Sequence, residues 1–293
     1  AQELEKVLPE GLSRFTFHDN GSSCVEAALK MAFQYHYQTG HPERTRFMCL
    51  PESYHGETIG ALSVGSMDFY AKIFHPMLMD NIHFDGLDCY RCPYGKTRNH
   101  CGVECFESAE KAFKQHGKET AAVIVEPILQ GAAGMRIYPA EYLRKLRKLC
   151  DAYGVLMIDD EIAAGFGRTG KLFAIEHAGI SPDILCTSKG LTAGYMPMSL
   201  TTDKVYDAFY DDYGTHKAFV HSHTYAGNPM GCAIALTVLK IMKRDHILEK
   251  VNENGIYLHD KLMKALGNHR HVGEIRHIGL INAIELVGNK KTK

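Results

Sequence analysis

The stretch from residue 155 to residue 189, VLMIDDEIAAGFGRTGKLFAIEHAGISPDILCTSK, contains two apolar runs that each lead into charged side chains. The first run ends at Asp159, Asp160 and Glu161, and the second ends near Lys189. Short apolar runs bounded by turn residues are typical of buried strands, whereas charged side chains avoid the interior unless they are paired. The stretch therefore predicts two interior strands that deliver acids and a lysine to one edge of a sheet.

Other segments extend this alternation along the chain. Strands are predicted at residues 14–19, 46–51, 121–127, 155–161, 183–189 and 279–288, and helices at about 23–38, 140–154, 228–247 and 248–266. Alternating strands and helices favour an α/β fold with a mostly parallel sheet and helices on both faces. Residues 80–102 lack a clear periodicity and are predicted to form a long irregular insertion.

The bulk composition limits the classes of function. The 293 residues are 45% hydrophobic and 23% charged, with a net charge of -1, and the pI is about 7.1. Such a chain can bury a sizeable core, and its charge does not favour a nucleic-acid partner. No apolar run approaches the length of a membrane span, and the N-terminus lacks the apolar core of a signal peptide. Nine cysteines favour reduced thiols and a cytoplasmic location.

Polar residues follow five of the predicted strands. They are Gly21 and Ser22, the run from Ser53 to His55, Glu126, the pair Asp160 and Glu161, and Lys189. Ligands of open α/β sheets bind outside the carboxyl ends of the strands. Each residue alone also fits a helix cap or a solvated turn, but their joint placement predicts one shared site.

The chemistry of this set matches the needs of pyridoxal 5′-phosphate. The NGSS segment at residues 20–23 opens a helix and suits a phosphate at the helix N-terminus, although a serine N-cap explains the same segment. An acid such as Asp160 can keep a pyridine nitrogen protonated. A partly desolvated lysine such as Lys189 can form a Schiff base with an aldehyde. Tyr54 is suited to stacking on the cofactor ring.

Residues 156–199, LMIDDEIAAGFGRTGKLFAIEHAGISPDILCTSKGLTAGYMPMS, resemble the core signature of the class III aminotransferases. The DE pair, GFGRTG, PDI and the SKG lysine occur in the order and spacing of that family. Within it, SYHGETIGALSVGS, CYRCPYG, EPILQGAAGM and HSHTYAGNPMGCA are similar to the branch that acts in biotin biosynthesis. The resemblance covers about residues 14–287 and implies the fold type I of pyridoxal-phosphate enzymes.

The resemblance implies cofactor-binding and catalytic roles for particular residues. Lys189 would bind the cofactor aldehyde and move a proton during catalysis, and Asp160 would pair with the pyridine nitrogen. Gly21 and Ser22 would hold the phosphate, and Tyr54 would stack on the ring.

Other roles carried over concern the substrate and a second subunit. Glu126 matches a glutamate that gates a substrate-carboxylate arginine, and Gly190 is assigned to the substrate side. Thr224 would reach the phosphate of the neighbouring subunit's cofactor, which implies a homodimer. Ala163 stands where many members of the family have glutamine, as in the biotin branch.

The implied reaction transfers an amino group to 8-amino-7-oxononanoate, giving 7,8-diaminononanoate, with S-adenosylmethionine or lysine as the donor. The GYMP and FYDDY segments lean toward relatives that use lysine. Two alternatives stay open: another ω-amino-acid aminotransferase of class III, or a cofactor-binding fragment without full activity that serves as a scaffold.

The resemblance also bears on the ends of the chain. Residues 1–240 are expected to form the cofactor-binding domain, and 241–293 a linking helix and the start of a small α/β domain. Family segments before and after the chain are expected to be absent, and no arginine for the substrate carboxylate is identified.

Two further groups of residues allow more than one interpretation. Cys89, Cys92, Cys101 and Cys105 have a spacing that suits zinc, although four reduced thiols in a loop explain it better. His55 is expected to be a hydrogen-bonded pocket residue, and no metal is assigned.

Overall fold

The computed structural model describes residues 1–85 and 87–290. Residue 86, within the predicted irregular insertion, and residues 291–293, within the predicted second unit, lie outside the described residues. The helices are α1 (Gln2–Glu5), α2 (Gly21–Gln38), α3 (Ile59–Val64), α4 (Asp68–Ala71), α5 (Glu107–His116), α6 (Ala140–Tyr153), α7 (Pro229–Arg244) and α8 (Ile247–Leu266).

The strands form one large sheet and two hairpins. They are β1 (Arg14–His18), β2 (Arg46–Cys49), β3 (Ile82–His83), β4 (Thr120–Val125), β5 (Leu129–Gln130), β6 (Arg136–Ile137), β7 (Leu156–Asp160), β8 (Ile184–Thr187), β9 (Ser199–Asp203), β10 (Val272–Ile278) and β11 (Ile281–Leu286). The large sheet has the order β1-β9-β8-β7-β4-β2-β3, and β5–β6 and β10–β11 pair separately.

The large sheet is mostly parallel, as predicted. β8, β7, β4, β2 and β3 run parallel to one another, and β9 pairs antiparallel with both β8 and β1. Parallel strands place their carboxyl ends at the same edge of the sheet. The strand ends singled out in the sequence therefore meet along one edge.

The sheet is covered by helices on both faces. Along β4, Val123 and Val125 join a core cluster that contains residues of α5 and α6, whereas Ala122 and Ile124 join a cluster built on α2. This division follows from the alternation of side chains along a strand. The predicted two-faced α/β architecture is confirmed.

Several details differ from the sequence-based expectations. The first helix begins at Gly21, two residues earlier than predicted, because the Asn20 side chain caps it by accepting from Ser23 N at 3.0 Å. A serine N-cap is therefore wrong. β9 and α5 were not predicted.

The irregular insertion is largely as expected, with only the short strand β3 between residues 80 and 102 in the described chain. Within the residues that the structure describes, no helix combines the length and apolarity needed to cross a membrane.

Candidate active site

A cavity of about 730 Å³ lies at the carboxyl ends of the parallel strands. Six of the eight predicted site residues line it, and they come from the ends of different elements: Gly21, Ser22, Tyr54, Glu126, Asp160 and Lys189. Residues up to 168 positions apart in the sequence thus share one concave surface. Such a cavity with a few convergent polar groups is the usual form of a small-molecule site.

Asp160 is held rigidly at the end of β7. Its side chain is buried, its Oδ2 lies 2.7 Å from His55 Nδ1, and its Oδ1 accepts from Ile162 N at 3.0 Å. An ionised carboxylate only accepts hydrogen bonds, so His55 donates from Nδ1. The carboxylate has acceptor positions to spare, and its orientation is fixed by two donors. The expectation that His55 is a hydrogen-bonded pocket residue is confirmed.

Lys189 lies two residues beyond the end of β8 and differs sharply from Asp160. Its side chain is exposed, and its backbone has a φ of 29°, at the start of a 3₁₀ turn from Lys189 to Thr192. Residues other than glycine avoid positive φ, and the few that adopt it cluster at functional sites. Lys189 therefore lines the cavity with an exposed side chain, whereas the sequence suggested a more desolvated position.

Glu126 follows β4 and is buried beside the cavity. Its Oε1 accepts from Gly131 N at 3.0 Å and its Oε2 accepts from Tyr54 N at 3.1 Å. Burial raises the pKa of Glu126 to about 7; the charge of Asp160 acts in the same direction, and His55 and the two backbone bonds oppose it. The carboxyl group can therefore change its protonation state near neutral pH.

The N-terminus of α2 forms another wall. The first backbone amides of a helix, here those of Gly21 and Ser22, have no partner within the helix and favour an anion. Gly56 approaches this terminus so closely that a Cβ at that position would lie 2.2 Å from Ser22 Oγ, and its φ of 126° also requires glycine. Ser22 Oγ accepts from Glu57 N at 3.2 Å. Ser23 is buried and does not line the cavity, contrary to its expected part in a phosphate site.

Tyr54 presents a half-buried ring to the cavity. Its hydroxyl donates to Glu57 Oε1 at 2.9 Å, and its ring lies 5.2 Å from that of Tyr70. Burial, followed by the bond to Glu57, raises the pKa of Tyr54 to about 12, so the phenol stays neutral. The ring is thus held at the cavity wall by a polar and an aromatic contact.

Gly190 and Thr224 are not brought into the cavity. A Cβ on Gly190 would lie 2.5 Å from Phe166 Cβ, so this glycine allows the turn after Lys189 to pack on Phe166. Thr224 is exposed. Its expected contact with a second subunit stays a prediction.

Several residues of the cavity were missed by sequence reasoning. The turn at residues 131–135 contributes Gly131, Ala132 and Met135, and Ile162 and Ser188 complete the surface. The sequence carries one signal for the turn, since two glycines three residues apart come shortly after Glu126.

Two other groups of residues lie outside this cavity. Arg168 Nη1 donates to Ala163 O at 3.0 Å, a bond within the loop after Asp160. Cys89, Cys92, Cys101 and Cys105 are free thiols around a separate cavity of about 20 Å³. No three His, Cys, Asp or Glu side chains in residues 1–85 and 87–290 are arranged to hold a metal ion.

The chain matches known proteins over its full length. Residues 1–293 match the family described as aminotransferase class-III. An adenosylmethionine-8-amino-7-oxononanoate aminotransferase of Geobacter sulfurreducens is 45% identical over 100% of this chain and 65% of its own length. The chain therefore spans just under two thirds of this relative.

Solved structures agree with the sequence comparisons. The crystal structure of the adenosylmethionine-8-amino-7-oxononanoate aminotransferase from Methanocaldococcus jannaschii matches with a TM-score of 0.91 at 35% identity, over 99% of this chain and 65% of that chain. An amine transaminase from an uncultivated Pseudomonas species, in the PLP-bound (internal aldimine) form, matches with a TM-score of 0.90 at 37% identity, over 97% of this chain and 64% of that chain. The chain belongs to the class III aminotransferase family.

Proposed function

We propose that the chain binds pyridoxal 5′-phosphate in the cavity and transfers an amino group to 8-amino-7-oxononanoate, giving 7,8-diaminononanoate for biotin synthesis. The donor is S-adenosylmethionine or lysine. The observation that carries the proposal is the convergence of Asp160, Lys189 and the N-terminus of α2 on one cavity. The names of the Geobacter and Methanocaldococcus relatives support the choice of substrate.

The residues present fit this cofactor. The amides of Gly21 and Ser22 would hold its phosphate, since a helix N-terminus favours anions. Asp160 would pair with the pyridine nitrogen, and Tyr54 would lie against the ring. Lys189 would bind the aldehyde. When bound, the cofactor supplies an electron sink for the negative charge that develops on the substrate carbon.

The chain's own residues would then orient groups and move a proton. The carboxylate of Asp160, held by two donors, would keep a proton on the ring nitrogen without changing its own position. The Lys189 amine, on an exposed side chain, could reach a substrate carbon and carry a proton as general base and acid. Glu126 would lie on the substrate side of the cavity, and its buried carboxyl group could pair with a cationic group.

The proposal includes a cytoplasmic homodimer. Phe33 and Tyr37 of α2 and Phe69 and Ile73 near α4 are exposed, and such apolar surfaces favour association with another protein. Tyr70, next to Phe69, contacts Tyr54 of the site. A second subunit on this surface would lie beside the cavity, as the expected role of Thr224 requires.

A second candidate is another transaminase of the same class. The match to an amine transaminase at 37% identity favours it, because the core residues that would bind the cofactor do not distinguish amino substrates. A third candidate is a cofactor-binding scaffold without full activity.

The deciding experiment adds pyridoxal phosphate to the purified protein and reduces it with borohydride. We expect a covalent mass increase that maps to Lys189 and is absent from Lys189→Ala. Single-turnover transfer to 8-amino-7-oxononanoate is then measured with S-adenosylmethionine, lysine and simple amines as donors. Lack of trapping in the wild-type protein would reject the cofactor assignment. Trapping with transfer to other acceptors only would support the second candidate, and trapping without transfer would support the scaffold.

A further inference from the structure

One wall of the cavity is a turn with a backbone conformation that is unfavourable for one of its residues, Met135. Residues 131–135 connect β5 and β6, and Gly134 N and Met135 N both bond to Gly131 O, at 3.2 and 3.0 Å. Gly134 has a φ of 88° and Met135 a φ of 56°. The left-handed conformation is unfavourable for methionine and persists only where the surroundings impose it. Something outside the turn must therefore hold it.

The outside contact comes from Arg276 on β10. This side chain is 8% exposed, and its Nη2 donates to Gly134 O at 2.7 Å, across 142 residues of sequence. The guanidinium is itself fixed, since Nη1 donates to Glu274 Oε2 at 2.9 Å and Nη2 donates to Glu285 Oε2 at 2.7 Å. Two carboxylates on the β10–β11 hairpin thus orient a rigid, planar donor toward the tip of the turn.

A continuous set of hydrogen bonds leads from this contact into the cavity. Arg276 holds Gly134 O, the turn closes on Gly131 O, and Gly131 N donates to Glu126 Oε1. The other oxygen of Glu126 accepts from the backbone of Tyr54. Met135, one residue beyond the Arg276 contact, lines the cavity directly.

We infer that Arg276 is a positioning residue that holds the turn at residues 131–135, and so places Met135 and Glu126 against the amino substrate. The inference rests on the proposed function for its substrate and adds the element that sets the substrate side of the cavity. Arg276 acts through the turn and does not line the cavity.

The hairpin has a second, independent attachment, which makes the inference testable. Leu280 N donates to Arg168 O at 3.0 Å, and a Cβ on Gly279 would collide with the backbone of Thr169. The hairpin turn is therefore packed on the loop after Asp160 without help from Arg276. Replacing Arg276 should release the turn at 131–135 and leave the hairpin docked.

The test compares Arg276→Met and Arg276→Lys with the matched control Arg91→Met. Arg91 also pairs with Glu285, at 2.8 Å, but it is half exposed. Amide hydrogen exchange of Gly134 and Met135 is measured on the cofactor-free chain. We expect it to rise roughly tenfold to a hundredfold in Arg276→Met, the range for loss of a bond to a charged donor. The rise should be smaller in Arg276→Lys and absent in Arg91→Met.

Kinetics then separate positioning from a general loss of structure. We expect KM for the amino substrate to rise about tenfold in Arg276→Met with a much smaller change in kcat. The rise should largely disappear in a Met135→Ala background, because both changes act on the same wall. Equal exchange in Arg276→Met and Arg91→Met, or an undiminished KM effect in that background, would overturn the inference. Failure of the wild type to trap pyridoxal phosphate would instead reject the proposed function, while the exchange data still decide whether Arg276 holds the turn.

Discussion

Asp159 and Asp160 are adjacent acids at the end of β7, yet they lie on opposite faces of the sheet and differ in their hydrogen-bond partners. Asp160 borders the cavity and accepts from His55 and Ile162. Asp159 is fully buried, and neither of its oxygens has a hydrogen-bond partner in the described part of the chain. Burial, with the charges of Glu161 and Asp160 in addition, raises the pKa of Asp159 well above its usual value. A change of one position in a strand therefore separates a preorganised carboxylate from a buried carboxyl group whose pKa is raised.

The largest effect expected from this comparison is on amino-group transfer. Asp160→Asn keeps the size of the side chain and removes the charge that would hold a proton on the cofactor ring. We expect the transfer rate to fall at least about 100-fold, as for removal of a preorganised electrostatic group. Asp159→Asn is the matched control and should change the rate little, because Asp159 does not line the cavity. Comparable losses in both variants would show that the two faces are not functionally distinct.

Glu126 combines features of both acids, since it has two donors and a raised pKa. Its pKa rises from an ordinary 4.5 to about 7, so the folded protein binds a proton that the unfolded chain has already released over that range. The free energy of unfolding should therefore fall as pH rises from about 4.5 to 7, by up to about 3 kcal/mol from this group.

The measurement is urea unfolding of the wild type and of Glu126→Gln between about pH 4 and about pH 8. The NH₂ group of the glutamine side chain cannot accept the hydrogen bond from one of the two backbone N–H groups that Glu126 binds. The free energy of unfolding should therefore be lower in the variant at every pH. The informative quantity is the slope, which should be less negative in the variant. Parallel curves would contradict the raised pKa.

His55 offers a smaller change to the environment of Asp160. Its Nε2 has no partner among the described residues, so the one side-chain hydrogen bond that His55→Phe removes is that from Nδ1 to Asp160. We expect cofactor affinity to fall roughly tenfold to a hundredfold, the range for one bond to a charged group. Fluorescence titration with pyridoxal phosphate measures this. An unchanged affinity would mean that Ile162 N alone is enough to fix the carboxylate.

The smallest effect concerns the backbone of Lys189, which follows the neighbouring strand β8. Glycine tolerates the φ of 29° at this position better than alanine does. Lys189→Gly should therefore be more stable than Lys189→Ala by about 1 kcal/mol in thermal unfolding, while both variants fail to trap the cofactor. Equal stability would indicate that the turn carries no strain.

Sequence reasoning identified the strands that build the cavity and missed β9. The strand Ser199–Asp203 is fully buried but rich in hydroxyl groups, so it lacks the apolar pattern of an interior strand. Two of its hydroxyl groups find partners in the fold: Ser199 Oγ donates to Asn20 O at 2.6 Å, and Thr201 Oγ1 donates to Cys24 O at 3.1 Å. These partners are about 180 residues away and have no local signature.

The same limit explains which site residues were found. Glu126, Asp160 and Lys189 were placed in one site because each follows an apolar run, and parallel strands bring such ends together. Gly190 has the same local setting, but packing on Phe166 keeps it out of the cavity walls. Met135 gave no signal, because its position depends on a turn that Arg276 holds from outside.

By itself the sequence determined the alternation of strands and helices, the family, and the residue types at the strand ends, because these follow from periodicity and short motifs. Only the tertiary structure decided that Asp159 lies away from the cavity, how far Lys189 is exposed, and which distant arginine holds the substrate-side turn. Those outcomes depend on contacts between elements far apart in the chain, and a hydrogen bond across 142 residues leaves no trace in local sequence.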